Sequence, residues 1–197
     1  MELNNFCVYI IMEDIPKNVR DLKEILNASY ESNPEAKEKL ENKGYVFDDE
    51  LSTKKHKVFY DPETKRPQIV FKGTTDTNEW LRNPLIPFNL EFLDPEFKRS
   101  KKLVKQVAEK YENKPDVYGH SRGASKAEYT ASGANKVYTY NKPSKFFESR
   151  IFPTSAKNVM NFRSTFDPVS ALDIFKSKNL GGSIMPLKAH STKIRFH

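Results

Sequence analysis

The sequence predicts an α/β fold in which a mainly parallel β-sheet is covered by helices on both faces. Beyond residue 55, short apolar segments typical of strands alternate with helical segments, and this alternation is typical of parallel sheets. The 197 residues suit one domain, and 14 Phe and 9 Tyr residues provide large apolar side chains for its core. The one cysteine, Cys7, excludes an internal disulfide and argues against a cysteine-based zinc site.

The first 50 residues form a charged segment with a helical pattern. Residues 17–43 are predicted to be helical; Asn33-Pro34 favours a turn and a helix start, and Lys43-Gly44 favours a helix end. We therefore divide the chain into a helical N-terminal segment, residues 1–50, and a main domain, residues 51–197. Capping of a site and binding of a partner both stay open as roles for the N-terminal segment.

The main domain is predicted to begin with a hairpin. Residues 56–60 and 68–71 have the short apolar pattern of strands, and residues 61–67 between them are rich in turn formers. Residues 95–112 place apolar side chains at helical spacing, which predicts an amphipathic helix. Its apolar positions are Phe97, Leu103, Val104, Val107, Ala108 and Tyr111.

The second half of the main domain continues the alternation. Residues 116–118 are predicted to form a strand and residues 121–131 a helix. Further strands are predicted at residues 137–140, 158–162 and 193–196. Strands separated by helices or long connections are expected to run parallel.

The sequence gives no sign of a membrane span or a leader. No apolar run approaches the roughly 18 residues that a transmembrane helix needs. The apolar run at residues 6–12 is short, lacks a basic flank and is followed by Glu13 and Asp14, so it does not resemble a signal peptide. Together with the single cysteine, this favours synthesis in a reducing, intracellular compartment, and we expect a cytoplasmic or other intracellular protein, with peripheral membrane contact left open.

The positive charge is concentrated in the second half of the chain. The net charge is +7, yet residues 1–97 carry 13 basic and 19 acidic side chains, whereas residues 98–197 carry 20 and 7. A basic half suggests contact with an anionic partner, which could be nucleic acid, phospholipid headgroups or an acidic protein. The alternative is a lysine-rich surface that only contacts water. Nucleic acid is not favoured, because no helix clusters basic and amide side chains.

One motif indicates nucleophilic catalysis. Gly119-His120-Ser121-Arg122-Gly123 has the pattern Gly-x-Ser-x-Gly between a predicted strand and a predicted helix. In that context the chain reverses so sharply that the neighbours at −2 and +2 must lack side chains, and the serine hydroxyl stands beside a helix N-terminus. We expect His120 to pack behind the turn. The alternative is an ordinary glycine-flanked turn.

A serine nucleophile needs a base and a carboxylate that orients the base. In this motif's usual chain order the acid and then the histidine follow the serine. Asp167 follows a predicted strand and precedes Pro168, and His190 precedes the last predicted strand. We therefore predict Ser121, Asp167 and His190 as the catalytic residues; a turn aspartate and a surface histidine are the alternatives for the last two. The other candidates are Glu128, Glu148, Asp173 and the terminal His197.

The oxyanion of an acyl-transfer intermediate needs N–H donors. The backbone N–H of Arg122, directly after the nucleophile, would supply one. Thr74 follows an apolar strand and Gly73, and its N–H and hydroxyl would supply others. The alternative for Thr74 is simply the end of a strand.

Several segments resemble the class 3 lipases, a branch of the α/β-hydrolases. That family has a strand ending in Phe-Arg-Gly-Thr/Ser with a nearby Trp, a Gly-His-Ser-x-Gly elbow and a strand end Thr-Tyr/Phe-Gly-x-Pro. The similar segments here are Ile69-Val70-Phe71-Lys72-Gly73-Thr74 followed by Trp80, the Gly119–Gly123 motif, and Val137-Tyr138-Thr139-Tyr140-Asn141-Lys142-Pro143. Phe166-Asp167-Pro168-Val169-Ser170 resembles the family's acid loop, and His190-Ser191 its base position. The likeness covers about residues 55–197.

The resemblance implies a small α/β-hydrolase and a serine esterase or lipase. It implies Ser121, Asp167 and His190 as the triad, Thr74 and Arg122 as oxyanion donors, and a lipid or small ester as substrate, with no cofactor and no metal. The family's usual Arg, Gly and second Gly are replaced by Lys72, Asn141 and Ala124, and none of these changes removes a catalytic group. The apolar residues 83–97 fall where the family can carry a lid; a loop packed on the core is the alternative.

Two functions follow from these observations. The first is hydrolysis of carboxylic esters, most simply lipid or phospholipid acyl esters, with the basic half holding the enzyme peripherally on an anionic membrane. The second is a catalytically silent α/β-hydrolase fold that binds a partner through its basic surface. All three triad residue types occur in the expected order, which favours the enzyme.

Overall fold

The computed structural model describes residues 16–74, 93–143, 157–163 and 177–179. Within these ranges seven strands form one sheet whose spatial order follows the chain order. β1 and β2 are antiparallel, as are β2 and β3, whereas every pair from β3 to β7 is parallel. The strands are β1 (Val46–Phe47), β2 (His56–Asp61), β3 (Arg66–Phe71), β4 (Asp116–His120), β5 (Val137–Tyr140), β6 (Val159–Arg163) and β7 (Ser177–Asn179). The predicted α/β fold is confirmed.

Helices cover both faces of this sheet. On one side lie α1 (Lys17–Arg20), α2 (Leu22–Ala28) and α3 (Asn33–Glu41), and on the other lie α4 (Pro95–Lys110) and α5 (Arg122–Tyr129). A short 3₁₀ turn at Ala131–Gly133 follows α5. β4 and β5 are buried at every position, as expected for parallel strands with both faces covered.

Local sequence explains where the helices begin and end. Ser32 and Glu35 form a capping box at the start of α3, and Pro34 stands in its first turn. Gly44 follows α3 with a φ of +78°, a left-handed conformation that favours glycine. Asp94 caps α4 by accepting a hydrogen bond from the Glu96 N–H at 2.8 Å.

The N-terminal helices form one of the two hydrophobic cores with the sheet. Their buried side chains pack against Phe59 and Val70, and against Tyr118 and Tyr138, whose rings are stacked with centroids 4.9 Å apart. The contributing helix residues are Leu22, Ile25, Leu26, Ala28, Ala36 and Leu40. Residues 17–41 therefore cover the sheet directly, and their charged side chains are exposed or half-buried.

The second core lies under α4 and α5. Leu103, Val104 and Val107 of α4 pack with Ala127 of α5 against the sheet. Ala124 and Ala127 are fully buried, and their small side chains allow α5 to lie close to β3, β4 and β5. Both helices begin at the edge where the parallel strands end, which is the edge where open α/β sheets bind ligands.

Differences from the sequence prediction are confined to short or late elements. The predicted helix at residues 121–131 is α5 followed by the 3₁₀ turn. β1 and β7 have only two and three residues, and neither strand was predicted. The predicted strand at residues 193–196 and the apolar run at residues 6–12 lie outside the described residues. None of the described helices combines the length and the apolar character needed to cross a membrane.

Candidate active site

Ser121 is the single residue between a strand and a helix. β4 ends at His120 and α5 begins at Arg122. The backbone of Ser121 has φ 55° and ψ −128°, a conformation that non-glycine residues rarely adopt. Its N–H donates to the Tyr140 carbonyl at 3.0 Å, and its carbonyl accepts from the Ala124 N–H at 2.9 Å. Hydrogen bonds to β5 and to the first turn of α5 therefore hold this turn in its strained form.

The two glycines of the motif have no room for a side chain. A Cβ on Gly119 would lie 2.2 Å from the carbonyl oxygen of Gly123. A Cβ on Gly123 would lie 2.3 Å from the carbonyl oxygen of Phe71, the last residue of β3. Both separations are far below an ordinary carbon contact of about 3.5 Å. Strand, turn and helix thus meet backbone to backbone, which is the steric situation that the sequence motif predicts.

The segment after β3 passes directly beside this turn. A Cβ on Gly73 would lie 2.6 Å from the His120 carbonyl oxygen and 3.3 Å from the Ser121 Cβ. Thr74, the next residue, is partly buried. The two residues that the sequence analysis assigns to the oxyanion, Thr74 and Arg122, therefore lie on adjacent segments at the same edge of the sheet.

The His120 side chain packs between two tyrosines. Its ring is almost fully buried between Tyr30 and Tyr140, with a centroid separation of 5.8 Å to each ring. Its Nδ1 lies 2.7 Å from the Tyr30 hydroxyl oxygen. His120 thus packs behind the turn, as expected, toward the side of the sheet covered by the N-terminal helices.

The Arg122 side chain is held by the start of α4. Its Nη2 donates to Asp94 Oδ2 at 2.6 Å and lies 3.4 Å from Glu96 Oε2. Glu96 also pairs with Lys126 at 2.9 Å and with Lys55 at 2.5 Å. Burial alone would raise the pKa of Glu96, but these cations outweigh it and lower the pKa to about 2. The guanidinium is engaged in this cluster, and the prediction for the oxyanion concerns only the backbone N–H of Arg122.

The other two predicted catalytic residues, Asp167 and His190, lie outside the described residues, as does most of the apolar segment 83–97. The topology still bears on Asp167. β6 is parallel to β5 with Phe162 opposite Tyr140, and Tyr140 is opposite His120 in the next pair. The carboxyl end of β6 therefore lies at the same edge as Ser121, and Asp167 follows that end in the sequence.

The structure adds Tyr30, Asp94 and Glu96 to the residues found around the turn. Asp94-Pro95 is a recognisable helix start, so a sequence signal for Asp94 was present. Tyr30 gave no such signal, because its partners are distant in the chain. In the described part of the chain no group of three His, Cys, Asp or Glu side chains is arranged to hold a metal ion.

Comparison with known proteins identifies the fold. No protein-family model matches this sequence, and no curated protein matches it. Among solved structures, Lip2 lipase from Yarrowia lipolytica superposes with a TM-score of 0.53 at 14% identity, over 84% of this chain and 79% of that chain. A fungal lipase–inhibitor complex, described as a model for interfacial activation in lipases, gives 0.53 at 18% identity over 83% and 77%.

The Rhizomucor miehei lipase–propeptide complex gives a TM-score of 0.52 at 18% identity, over 80% of this chain and 64% of that chain. Identities this low concern the fold and not the chemistry. The chain has a lipase-like α/β-hydrolase fold, as its resemblance to the class 3 lipases implied.

Proposed function

We propose that this protein is a serine hydrolase of carboxylic esters and that its natural substrates are lipid or phospholipid acyl esters. The observation that carries the proposal is the strained backbone of Ser121, at φ 55°, between β4 and α5. Such a conformation costs on the order of 1–3 kcal/mol and is found where a site needs it. An ordinary turn of this kind would favour glycine or asparagine at the strained position.

The reaction would proceed through an acyl-enzyme. Ser121 Oγ attacks the ester carbonyl while His190 takes the hydroxyl proton, and Asp167 orients the imidazole and stabilises its charged form. Collapse of the tetrahedral intermediate breaks the bond to the alcohol, which leaves with the proton from His190. Water, deprotonated by His190, then attacks the acyl-enzyme and releases the carboxylic acid and the free serine.

The tetrahedral oxyanion would be bound between the two segments that meet beside Ser121. The Arg122 N–H stands at the N-terminus of α5, and Thr74 follows the close contact of Gly73 with the turn. Loss of one such donor typically lowers kcat by about 100- to 1000-fold. The near contact of Gly73 with Ser121 supports this assignment, because donors on a loose loop would not be fixed relative to the nucleophile.

A basic surface beside the site supports contact with an anionic membrane. Lys98, Lys102 and Lys105 recur along the exposed side of α4 at spacings of four and three residues, which places them on one stripe. Within the described residues, Lys98 and Lys102 make no ion pair. The stripe begins next to Asp94, whose carboxylate pairs with Arg122, the residue after the proposed nucleophile Ser121. A lipid surface that the stripe contacts would thus lie close to the carboxyl edge of the sheet.

The test is hydrolysis of p-nitrophenyl butyrate at pH 8, with labelling by a fluorophosphonate probe. Ser121→Ala is expected to abolish both turnover and labelling. Ser125→Ala is the matched control: Ser125 is 1% exposed, lies one helical turn later, and its hydroxyl makes no hydrogen bond within the described residues. Turnover that survives Ser121→Ala would contradict the nucleophile. No turnover and no labelling of the wild type would favour the non-catalytic partner-binding protein.

Anionic vesicles address the substrate class. The wild type is expected to hydrolyse a water-soluble ester faster when vesicles of an anionic phospholipid are added, because binding brings the site to the surface. Neutral vesicles of the same size are the control. Equal rates with both vesicle types would contradict an anionic membrane as the site of action while leaving the esterase intact.

A further inference from the structure

One hydroxyl of the N-terminal segment reaches the candidate active site. Tyr30 lies between α2 and α3, and its oxygen is 2.7 Å from His120 Nδ1. The same oxygen lies against Gly73, where a Cβ would approach it to 2.4 Å, and the Gly73 backbone lowers the pKa of this hydroxyl against the larger, opposite effect of burial. Tyr30 therefore contacts the turn on one side and the segment that follows β3 on the other.

The Tyr30 hydroxyl and His120 Nδ1 share one hydrogen bond, in which either atom can be the donor, depending on the tautomer of the imidazole. Burial raises the pKa of Tyr30, so the hydroxyl keeps its proton at neutral pH. The chain Gly73 to Tyr30 to His120 thus joins residues on both sides of Ser121.

We propose that Tyr30 is a positioning residue that fixes the backbone of residues 72–74 against the turn, so that the N–H groups of Thr74 and Arg122 point at one oxyanion. The proposal rests on the proposed function for its catalytic consequence. It also gives the N-terminal segment a role in the chemistry that the sequence left open.

The contact is specific to the hydroxyl. The Tyr30 ring also packs edge-on against the His120 ring, and the Lys72 Nζ lies 5.8 Å from the centre of the Tyr30 ring. A phenylalanine ring would keep both of these contacts. Tyr30→Phe removes only the oxygen, so that His120 Nδ1 loses this hydrogen bond and Gly73 loses this contact. The variant therefore separates a positioning role from simple packing.

Tyr45→Phe is the matched control. Tyr45 belongs to the same segment, is 2% exposed, and donates its hydroxyl proton to Asp21 Oδ2 at 3.0 Å. Both variants lose one tyrosine hydroxyl that makes a partly buried hydrogen bond, and both are expected to lower the unfolding temperature by a similar amount. Of these two tyrosines, only Tyr30 contacts Gly73 and His120.

The kinetic measurement compares kcat and KM for p-nitrophenyl butyrate, with the rate of fluorophosphonate labelling. We expect Tyr30→Phe to lower kcat and the labelling rate by about tenfold, less than outright loss of an oxyanion donor, with KM within about twofold of the wild type. Tyr45→Phe should leave kcat and the labelling rate within about twofold. Equal effects of the two variants would overturn the positioning role.

Amide hydrogen exchange at Gly73, followed by NMR, gives a readout that does not depend on activity. Tyr30→Phe should accelerate exchange at Gly73 by at least about tenfold, and Tyr45→Phe should not. Unchanged exchange in Tyr30→Phe would overturn the proposal even if activity fell. A wild type without esterase activity would refute the proposed function, and the exchange rates would then decide alone whether Tyr30 holds this segment.

Discussion

Substitution of Gly119 by alanine tests whether the turn at Ser121 is as close-packed as the structure shows. The added Cβ would lie 2.2 Å and 2.3 Å from the carbonyl oxygen and carbon of Gly123, and 2.5 Å from the N of Ala124. All three are backbone atoms in the first turn of α5. Relief of the overlap needs a movement of about 1 Å, which shifts α5 away from β4 and changes the position of Ser121.

The size of the effect follows from this overlap. Overpacking of a core typically costs about 1–3 kcal/mol, and backbone atoms cannot rotate away, so we expect about 3 kcal/mol. For a domain of this size 1 kcal/mol corresponds to roughly 2–4 °C, which gives a fall of about 6–12 °C in the unfolding temperature. A displacement near 1 Å at the nucleophile should also lower fluorophosphonate labelling by about 100-fold.

Gly133→Ala serves as the control for this experiment. A Cβ there would meet the Val104 Cγ1 methyl at 3.0 Å, and that side chain can move by the few tenths of an ångström required. We expect a loss below about 1 kcal/mol and unchanged labelling. A Gly119→Ala variant that unfolds within about 2 °C of the wild type and labels at the wild-type rate would contradict this close packing.

Two further predictions concern the charges beside the site. Because the folded-state pKa of Glu96 is lowered to about 2, the carboxylate stabilises the fold above pH 5 and loses this contribution as the pH falls toward 2. We expect wild type and Glu96→Gln to differ in unfolding free energy by on the order of 2 kcal/mol at pH 7. Urea unfolding should show this difference vanish between pH 5 and pH 2. A pH-independent difference would contradict it. The double variant Lys98→Glu/Lys102→Glu should bind anionic vesicles at least about tenfold more weakly in co-sedimentation. The control Lys114→Glu/Lys136→Glu makes the same charge change at the opposite edge of the sheet and should bind the vesicles as the wild type does. Equal weakening by both pairs would point to net charge instead of the α4 surface.

The parts of the fold that the sequence predicted have local causes. The Gly119–Gly123 motif encodes its own turn, because two absent side chains and one strained serine are properties of five consecutive residues. The bounds of β5 match the predicted residues 137–140, since an apolar segment between turn formers has little freedom in placement. By contrast, β7 has the polar sequence Ser-Lys-Asn and forms through its pairing with β6. No local sequence pattern predicts this pairing.

The contacts around Ser121 that the sequence missed join distant residues. Tyr30 and Gly73 are 43 positions apart, and Tyr30 and His120 are 90 positions apart. Composition and spacing carry no information on such a pair, because the distance between them depends on how the N-terminal helices dock on the sheet. The Asp94–Arg122 pair is similar: the sequence indicates a helix start at Asp94, but not which cation it meets.

The docking of the N-terminal helices links stability to the geometry of the site. Leu22, Ile25 and Leu26 of α2 are buried on the sheet, and Tyr30 follows this helix by two residues. Full burial of such side chains contributes about 1.5–3 kcal/mol each, a sum comparable to the net stability of a domain. The Tyr30 hydroxyl thus takes its position from apolar packing that the fold needs in any case. A substitution that shifts α2 on the sheet would move this hydroxyl as well, and it would act on the segment at Gly73 without touching the reacting groups.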